Sequence, residues 1–254
     1  MKVWYITKKQ VKISFITAIL LVAVSVIYGV GVLFVSAKER MLPVYSVETP
    51  KKQVALTFDV AWEDSDLNQI LTILQENKAK ATFFVTGDWA RRYPDGVKKI
   101  LAAGNEVQNH SDRHPHVASI DGGSLMLDTR ACEQALTPLT GKKPTLYRAP
   151  YGEYDNEMLA ALTQEGYTVV QWDVDSRDWQ PSATVDTIVG NVVGKTGPGS
   201  ILLFHVDAKP KCTPQALQKI LPELTKQGYA IGTASDLLIK ENYVIDRTGR
   251  MKHK

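Results

Sequence analysis

A chain of 254 residues that is 44% hydrophobic and 22% charged has ordinary globular composition, with length for one medium domain plus appendages. A formal charge of only +3, with no basic run interleaved with aromatics, excludes nucleic acid as an expected partner. Residues 1–12 carry Lys2, Lys8, Lys9 and Lys12 and no acid, and they read as a cytoplasmic N-terminus. From Ile13 to Ala37 no residue is charged, and at about 1.5 Å per residue such a helix spans a bilayer core of roughly 30 Å. The expectation is a transmembrane signal-anchor over 13–37 with the rest of the chain outside. Val35-Ser36-Ala37 also offers the small residues of a signal-peptide cleavage site, although the apolar run exceeds the roughly 7–15 residues usual there. Either way the working domain is exported.

Residues 38–52 are charged, contain Pro43 and Pro50, and read as a linker. Over 53–240 two kinds of segment alternate. β-rich runs are expected at Val54–Asp59, Ala81–Thr86, Glu106–Ser111, Thr145–Tyr151, Thr168–Ser176, Ser200–Val206 and Ala230–Thr233. Helical periodicity marks Leu67–Glu76, Val97–Ala103, Leu125–Leu139, Asn156–Gln164, Val185–Val193 and Pro214–Gln227. Gly104, Gly141, Gly166 and Gly228 stand just past helix ends, and Asp66, Ser124 and Asp155 are N-cap candidates. Such alternation predicts an α/β fold: a parallel sheet covered by helices, open or closed into a barrel of about seven strands. Residues 241–254 are polar and basic and read as a loose tail. Cys132 and Cys212 are far apart, and unpaired thiols are the expectation.

Polar residues that do not belong in buried strands gather at strand C-termini: Asp59, His110, Arg148 with Tyr151, Asp173 with Asp175, and His205. In a parallel α/β sheet those ends open on one face, where active sites form. His110 and His114 are four apart, so a helical turn after the strand would aim both imidazoles at one divalent ion. His116, cut off by Pro115, reads as a surface residue. Asp59 closes an apolar strand, which suits either a helix cap or a catalytic acid. The guanidinium of Arg148 would hold an acid ionised, and His205 suits proton donation.

In this order, Thr57-Phe58-Asp59, His110-Ser111-Asp112-Arg113-His114, Arg148-Ala149-Pro150-Tyr151, Asp175-Ser176-Arg177-Asp178-Trp179 and Leu203-Phe204-His205 resemble the five motifs of the polysaccharide deacetylases, carbohydrate esterase family 4. The run Leu56–Trp62 is similar to the PdaB-like sporulation branch. The resemblance implies a distorted (β/α) barrel and metal-dependent removal of N-acetyl groups from a glycan polymer. It casts Asp59 as general base, His205 as general acid, Arg148 and Asp178 as their partners, and His110 and His114 as metal ligands. Tyr151 would hold the oxyanion through its backbone N–H, and Trp179 and Leu203 would wall the acetyl pocket. Imidazole ligands favour zinc or a similar ion.

One position departs from the pattern. The family's first motif usually has a second, metal-ligating Asp, where this chain has Val60. Glu63 or Asp64 in the following loop is a candidate replacement. The departure also admits a degenerate deacetylase that binds glycan or a partner without turnover. A glycosidase using Asp173 and Asp175 as its carboxylate pair is a third reading, which leaves the histidines unexplained.

Overall fold

The computed structural model describes residues 7–33, 40–117 and 120–254, and it falls into two compact units, Met1–Arg40 and Met41–Lys254. The first unit is helix α1, Lys8–Leu33, of 26 residues. Among the described residues no helix is long and apolar enough to cross a membrane. The side chains of 26–33, and residues 34–39 with the expected cleavage site, lie outside the described residues.

The second unit is built on parallel strands β2 (Gln53–Val60), β3 (Thr82–Val85), β4 (Glu106–Asn109), β5 (Leu146–Tyr147), β6 (Thr168–Val169), β7 (Val174–Asp175) and β8 (Ile201–His205). Their spatial order is β6-β5-β4-β3-β2-β8-β7, and β9 (Ala230–Gly232) pairs with the start of β2. The helices are α2 (Leu67–Glu76), α3 (Gly87–Arg92), α4 (Pro94–Ala102), α5 (Gly122–Thr140), α6 (Asn156–Gln164), α7 (Val185–Val193), α8 (Thr213–Lys226) and α9 (Ala234–Leu237). The expected α/β architecture holds, and α2, α6 and α7 have the expected bounds.

Alternation along β2 divides its side chains between two environments. Val54, Leu56, Phe58 and Val60 join the main apolar cluster under the helices, where Phe58 stacks on Phe83 at 4.9 Å and tilts against Phe204 at 5.7 Å. Thr57 and Asp59 face the other way; Thr57 Oγ1 donates to the Leu202 carbonyl at 2.6 Å. Burying each such Phe contributes about 1.5–3 kcal/mol.

Several expectations need correction. The run Thr168–Ser176 is not one strand but β6 and β7, on opposite edges of the sheet, because Arg148 takes the carbonyls of Val170 and Gln171 between them. The expected linker contains β1, Ser46–Val47, and the expected loose tail contains β10, Tyr243–Ile245, and β11, Arg250–His253; these three form a second sheet. Met251, Val44 and Val47 are its buried anchors. Gly199 lets β1 approach: at φ +84° its missing Cβ would lie 1.7 Å from the Val47 carbonyl oxygen. Ser124 is not a cap but donates its N–H to the true cap, Asp121. Asp66 does stand at the N-cap position of α2, its carbonyl accepting the Ile70 N–H, but its side chain makes no cap bond and instead accepts the Asp207 N–H, whereas Asp155 caps α6 through its side chain. Both cysteines are free thiols.

Candidate active site

In the parallel pairing of β2 with β8, Asp59 sits directly beside His205. In that of β3 with β4, Val85 sits beside Asn109, so His110 leaves the sheet at the same level. These ends open into a cavity of about 270 Å³ lined by Asp59, Trp62, His110, His114, Trp179 and His205, with Ala61 and residues 206–209 completing the wall.

Asp59 is buried, and Arg148 Nη1 donates to its Oδ1 at 2.9 Å. Arg148 is fully buried, its guanidinium lying 4.2 Å from the Phe84 ring centroid, and its other donors reach the carbonyls of Val170 (3.2 Å) and Gln171 (3.0 Å). Burial pushes the Asp59 carboxyl up, but the facing His110 ring and the charged, hydrogen-bonding Arg148 guanidinium outweigh it and hold the group below its ordinary value. Asp59 therefore stays an anion at neutral pH.

On the other wall His205 is fixed by Asp178. Its Nδ1 lies 2.7 Å from Asp178 Oδ1, and Oδ2 accepts the His205 N–H at 2.9 Å and the Thr213 hydroxyl at 2.8 Å. Burial lowers the His205 pKa, yet the Asp178 carboxylate prevails and the net direction is up. Nδ1–H is thereby committed to Asp178, leaving Nε2 to exchange a proton with a bound molecule.

The histidine loop does not turn helically. Ser111 and His114 have positive φ, 68° and 56°, and the loop is held by Asp128, which accepts the N–H groups of Asp112 (2.7 Å) and Arg113 (3.1 Å). The two rings still meet, with centroids 5.0 Å apart. His110 Nδ1 faces the Arg148 carbonyl at 2.9 Å, which fixes the proton there and leaves Nε2 as a lone pair, 3.5 Å from Asp59 Oδ2. His110 Nε2 and His114 Nδ1 are both buried without a hydrogen-bond partner. Burial lowers both pKa values, that of His114 to about 3, so both rings are neutral at pH 7.

Five residues in the loops around this mouth adopt left-handed backbone: Ser111, His114, Tyr151, Arg177 and Asp207. Each costs of order 1–3 kcal/mol, and strain concentrated in this way marks a functional surface. The Tyr151 ring is exposed, stacks on His116 at 3.8 Å and meets His114 edge-on at 4.5 Å. Leu203 is buried and is not among the residues lining the cavity, whereas Trp179 is half exposed at its rim.

A polysaccharide deacetylase family model matches residues 46–170. The peptidoglycan-N-acetylglucosamine deacetylase of Bacillus cereus is 34% identical over 192 residues, covering 75% of this chain and 70% of that one. The chain belongs to the polysaccharide deacetylase family. Among solved structures, the Bc1960 peptidoglycan N-acetylglucosamine deacetylase superposes with a TM-score of 0.74 at 33% identity, covering 76% of this chain and 91% of that one. BA3943 of Bacillus anthracis, described as a family 4 pseudoenzyme, superposes with a TM-score of 0.74 at 29% identity, covering 84% of this chain and 73% of that one.

For a polysaccharide deacetylase the ligand set here is short. Two orphaned imidazole nitrogens fit a divalent ion, but among the described residues no three His, Cys, Asp or Glu side chains form a metal-holding group. Val60 is fully buried on the apolar face of β2, opposite Asp59. Glu63 is exposed, Asp64 half-buried, and neither lines the cavity, so the candidate replacement ligand from that loop is not in place. Asp173 also leaves the site. It accepts the Ile201 N–H and the Ser200 hydroxyl at the far end of β8, which removes the carboxylate pair of a glycosidase. Sequence reasoning missed Trp62, Asp207 and Lys209 in the wall and Thr213 behind Asp178. Only Trp62, an aromatic in a polar loop, carried a signal.

Proposed function

We propose that this chain is a metal-dependent hydrolase that removes N-acetyl groups from amino sugars of a cell-wall polysaccharide, with peptidoglycan as its polymer. The observation that carries the reading is the facing pair. Asp59, held by the Arg148 guanidinium, and His205, held by the Asp178 carboxylate that raises its proton affinity, stand on adjacent strands of one cavity. Amide hydrolysis needs a base for water on one side of the carbonyl and an acid for the leaving amine on the other.

His110 and His114 would hold the ion, with zinc favoured by imidazole. A divalent ion supplies Lewis-acid activation of water and carbonyl there. Asp59 takes the proton of the attacking water. The Tyr151 backbone N–H is the candidate donor to the oxyanion. Protonated His205 gives its proton to the departing sugar nitrogen, and Asp178 stabilises the charge His205 carries before that step.

The deciding assay is acetate release from N-acetylglucosamine oligomers and from peptidoglycan, with zinc and with chelator. Chelator-sensitive release without chain cleavage is expected, falling by about 10²–10⁴-fold in Asp59→Asn. Release that survives this substitution sinks the assignment of the base. Asp178→Asn provides a second check through the pH profile. The raised His205 pKa keeps its acid form to higher pH, so removing the carboxylate should move the alkaline limb of kcat downward in pH. An unmoved limb would exclude His205 as the acid.

The second reading, a catalytically impaired protein that binds glycan, is favoured by Val60, by the short ligand set and by the likeness to BA3943. Wild type that binds oligomers but releases no acetate would establish it. The sporulation branch rests on the Leu56–Trp62 run. The apolar stretch 13–37 after four lysines supports a single-pass anchor with the domain outside the cell, which protease accessibility on intact cells would test.

A further inference from the structure

Trp62 divides the cavity from a second hollow of about 520 Å³. The hollow shares Ala61, Trp62 and His114 with the cavity, so one chain can occupy both. Its own charged walls are Arg91, Arg92, Arg113, Asp88 and Asp112. The two carboxylates are already committed. Asp112 accepts both Nη atoms of Arg91 at 2.8 and 3.0 Å, and Asp88 accepts Nε of Arg92 at 2.9 Å. Arg92 spends a further donor on the Ala61 carbonyl. Asp128, behind the loop, is occupied by two backbone N–H groups. Arg113 differs: its side chain is 85% exposed, and its ion-pair contact is a long 3.8 Å to the already shared Asp112. With Arg91 and Arg92 spent on the two carboxylates, the hollow keeps one guanidinium in excess, Arg113, beside an indole that is 59% exposed.

We propose that this hollow receives the sugar neighbouring the one being deacetylated, and that it selects a sugar bearing a carboxylate, which Arg113 pairs while Trp62 covers the ring. This rests on the deacetylase reading and names its substrate class. A guanidinium with open donors is a fork for a carboxylate, and a neutral N-acetylglucosamine chain offers it nothing of matching charge. An indole with a wet edge and an apolar face suits the apolar face of a pyranose. The carboxylate has two sources in peptidoglycan: the lactyl group of the muramic residue, or the peptide attached to it.

The test compares wild type, Arg113→Ala and Arg113→Glu on three soluble glycans: neutral N-acetylglucosamine oligomers, peptidoglycan strands stripped of peptide, and strands with peptide. Kd is read by calorimetry and kcat/KM by acetate release. Arg113→Glu should weaken binding of carboxylated strands roughly 10–100-fold, with Arg113→Ala between, and leave neutral oligomers within about twofold. Added salt should weaken only the carboxylated strands. A larger effect on stripped strands assigns the lactyl group, and a larger effect on peptide-bearing strands assigns the peptide. Equal losses on neutral and carboxylated glycans, no loss on either, or no glycan binding at all would overturn the inference. Neutral-oligomer acetate release judges the deacetylase reading separately. If it is present while Arg113 is indifferent, only the groove falls; if it is absent while binding discriminates, only the hydrolase falls.

Discussion

Replacing Arg148 with Met is expected to lower stability by about 3–5 kcal/mol and to remove hydrolysis with it. Arg148 is fully buried, and its guanidinium ties three acceptors on two pieces of chain: Asp59 on β2 and the carbonyls of Val170 and Gln171 where the chain crosses from β6 to β7. Met fills a similar volume but leaves Asp59 buried without its counter-charge and the two carbonyls without donors. Truncating one member of such a set costs far more than the pair's net worth, because the remaining charge stays buried. In a domain this size the loss corresponds to roughly 6–20 °C in Tm. Sign and pH follow from the same pair. In wild type the Asp59 pKa lies below its ordinary value, so its contribution is full above the unfolded pKa and lost as pH falls through the folded one. In the Met variant burial acts unopposed by Arg148 and the carboxyl moves up, so the gap between the two proteins should narrow in acid. Thermal melts at pH 4 and 7 test this, with Arg148→Lys as control. Lys keeps the charge and loses the fork, and should fall between. A variant as stable as wild type at pH 7 would show that the guanidinium is not the strut of the β6–β7 crossing.

That crossing also shows what the sequence could and could not convey. Asp59, His110, Arg148 and His205 were legible because each ends or directly follows a β-rich run, and a carboxylate, imidazole or guanidinium there has no reason to be buried except chemistry or a partner. Their convergence follows from parallel pairing alone, since Asp59 and His205 become neighbours once β2 pairs with β8. The break inside Thr168–Ser176 was not legible, because its cause is a side chain 22 residues upstream that claims the carbonyl of Val170. Asp173 was misplaced for the same reason: it lies in the broken segment and binds the start of β8 instead of facing the mouth. The β10–β11 hairpin was passed over because polar and basic residues surround the short run Tyr243–Ile245; Met251 is its buried anchor, and Tyr243 and Ile245 pack partly buried against the same cluster. The Trp62 hollow depends on loops whose path is set by Asp128 and by left-handed residues, which no periodicity reports.

Position 60 is where the chain's chemistry can be changed most. Introducing Asp at Val60 is expected to cost several kcal/mol in the presence of chelator and to make stability and activity strongly zinc-dependent. Val60 is the last residue of β2, fully buried among the apolar residues under the helices, and its side chain lies on the face opposite Asp59. An ionised carboxylate there has no partner, so it either protonates or pulls the strand end over toward His110 and His114. A cation shared with the two orphaned imidazole nitrogens would offset that burial, and the linkage is measurable as a melting shift that grows with free zinc. Wild type, with two nitrogens and no anionic third ligand, should show a much smaller shift. Chelator-sensitive acetate release should rise by at least about tenfold, the lower end of what loss of even an outer-shell partner costs a metal site. Should Val60→Asp be destabilised alike with zinc and with chelator, the carboxylate has stayed on the core side. The missing ligand would then be a property of how β2 ends, not of one side chain, and regaining it would require shortening the strand so that residue 60 turns toward the histidines.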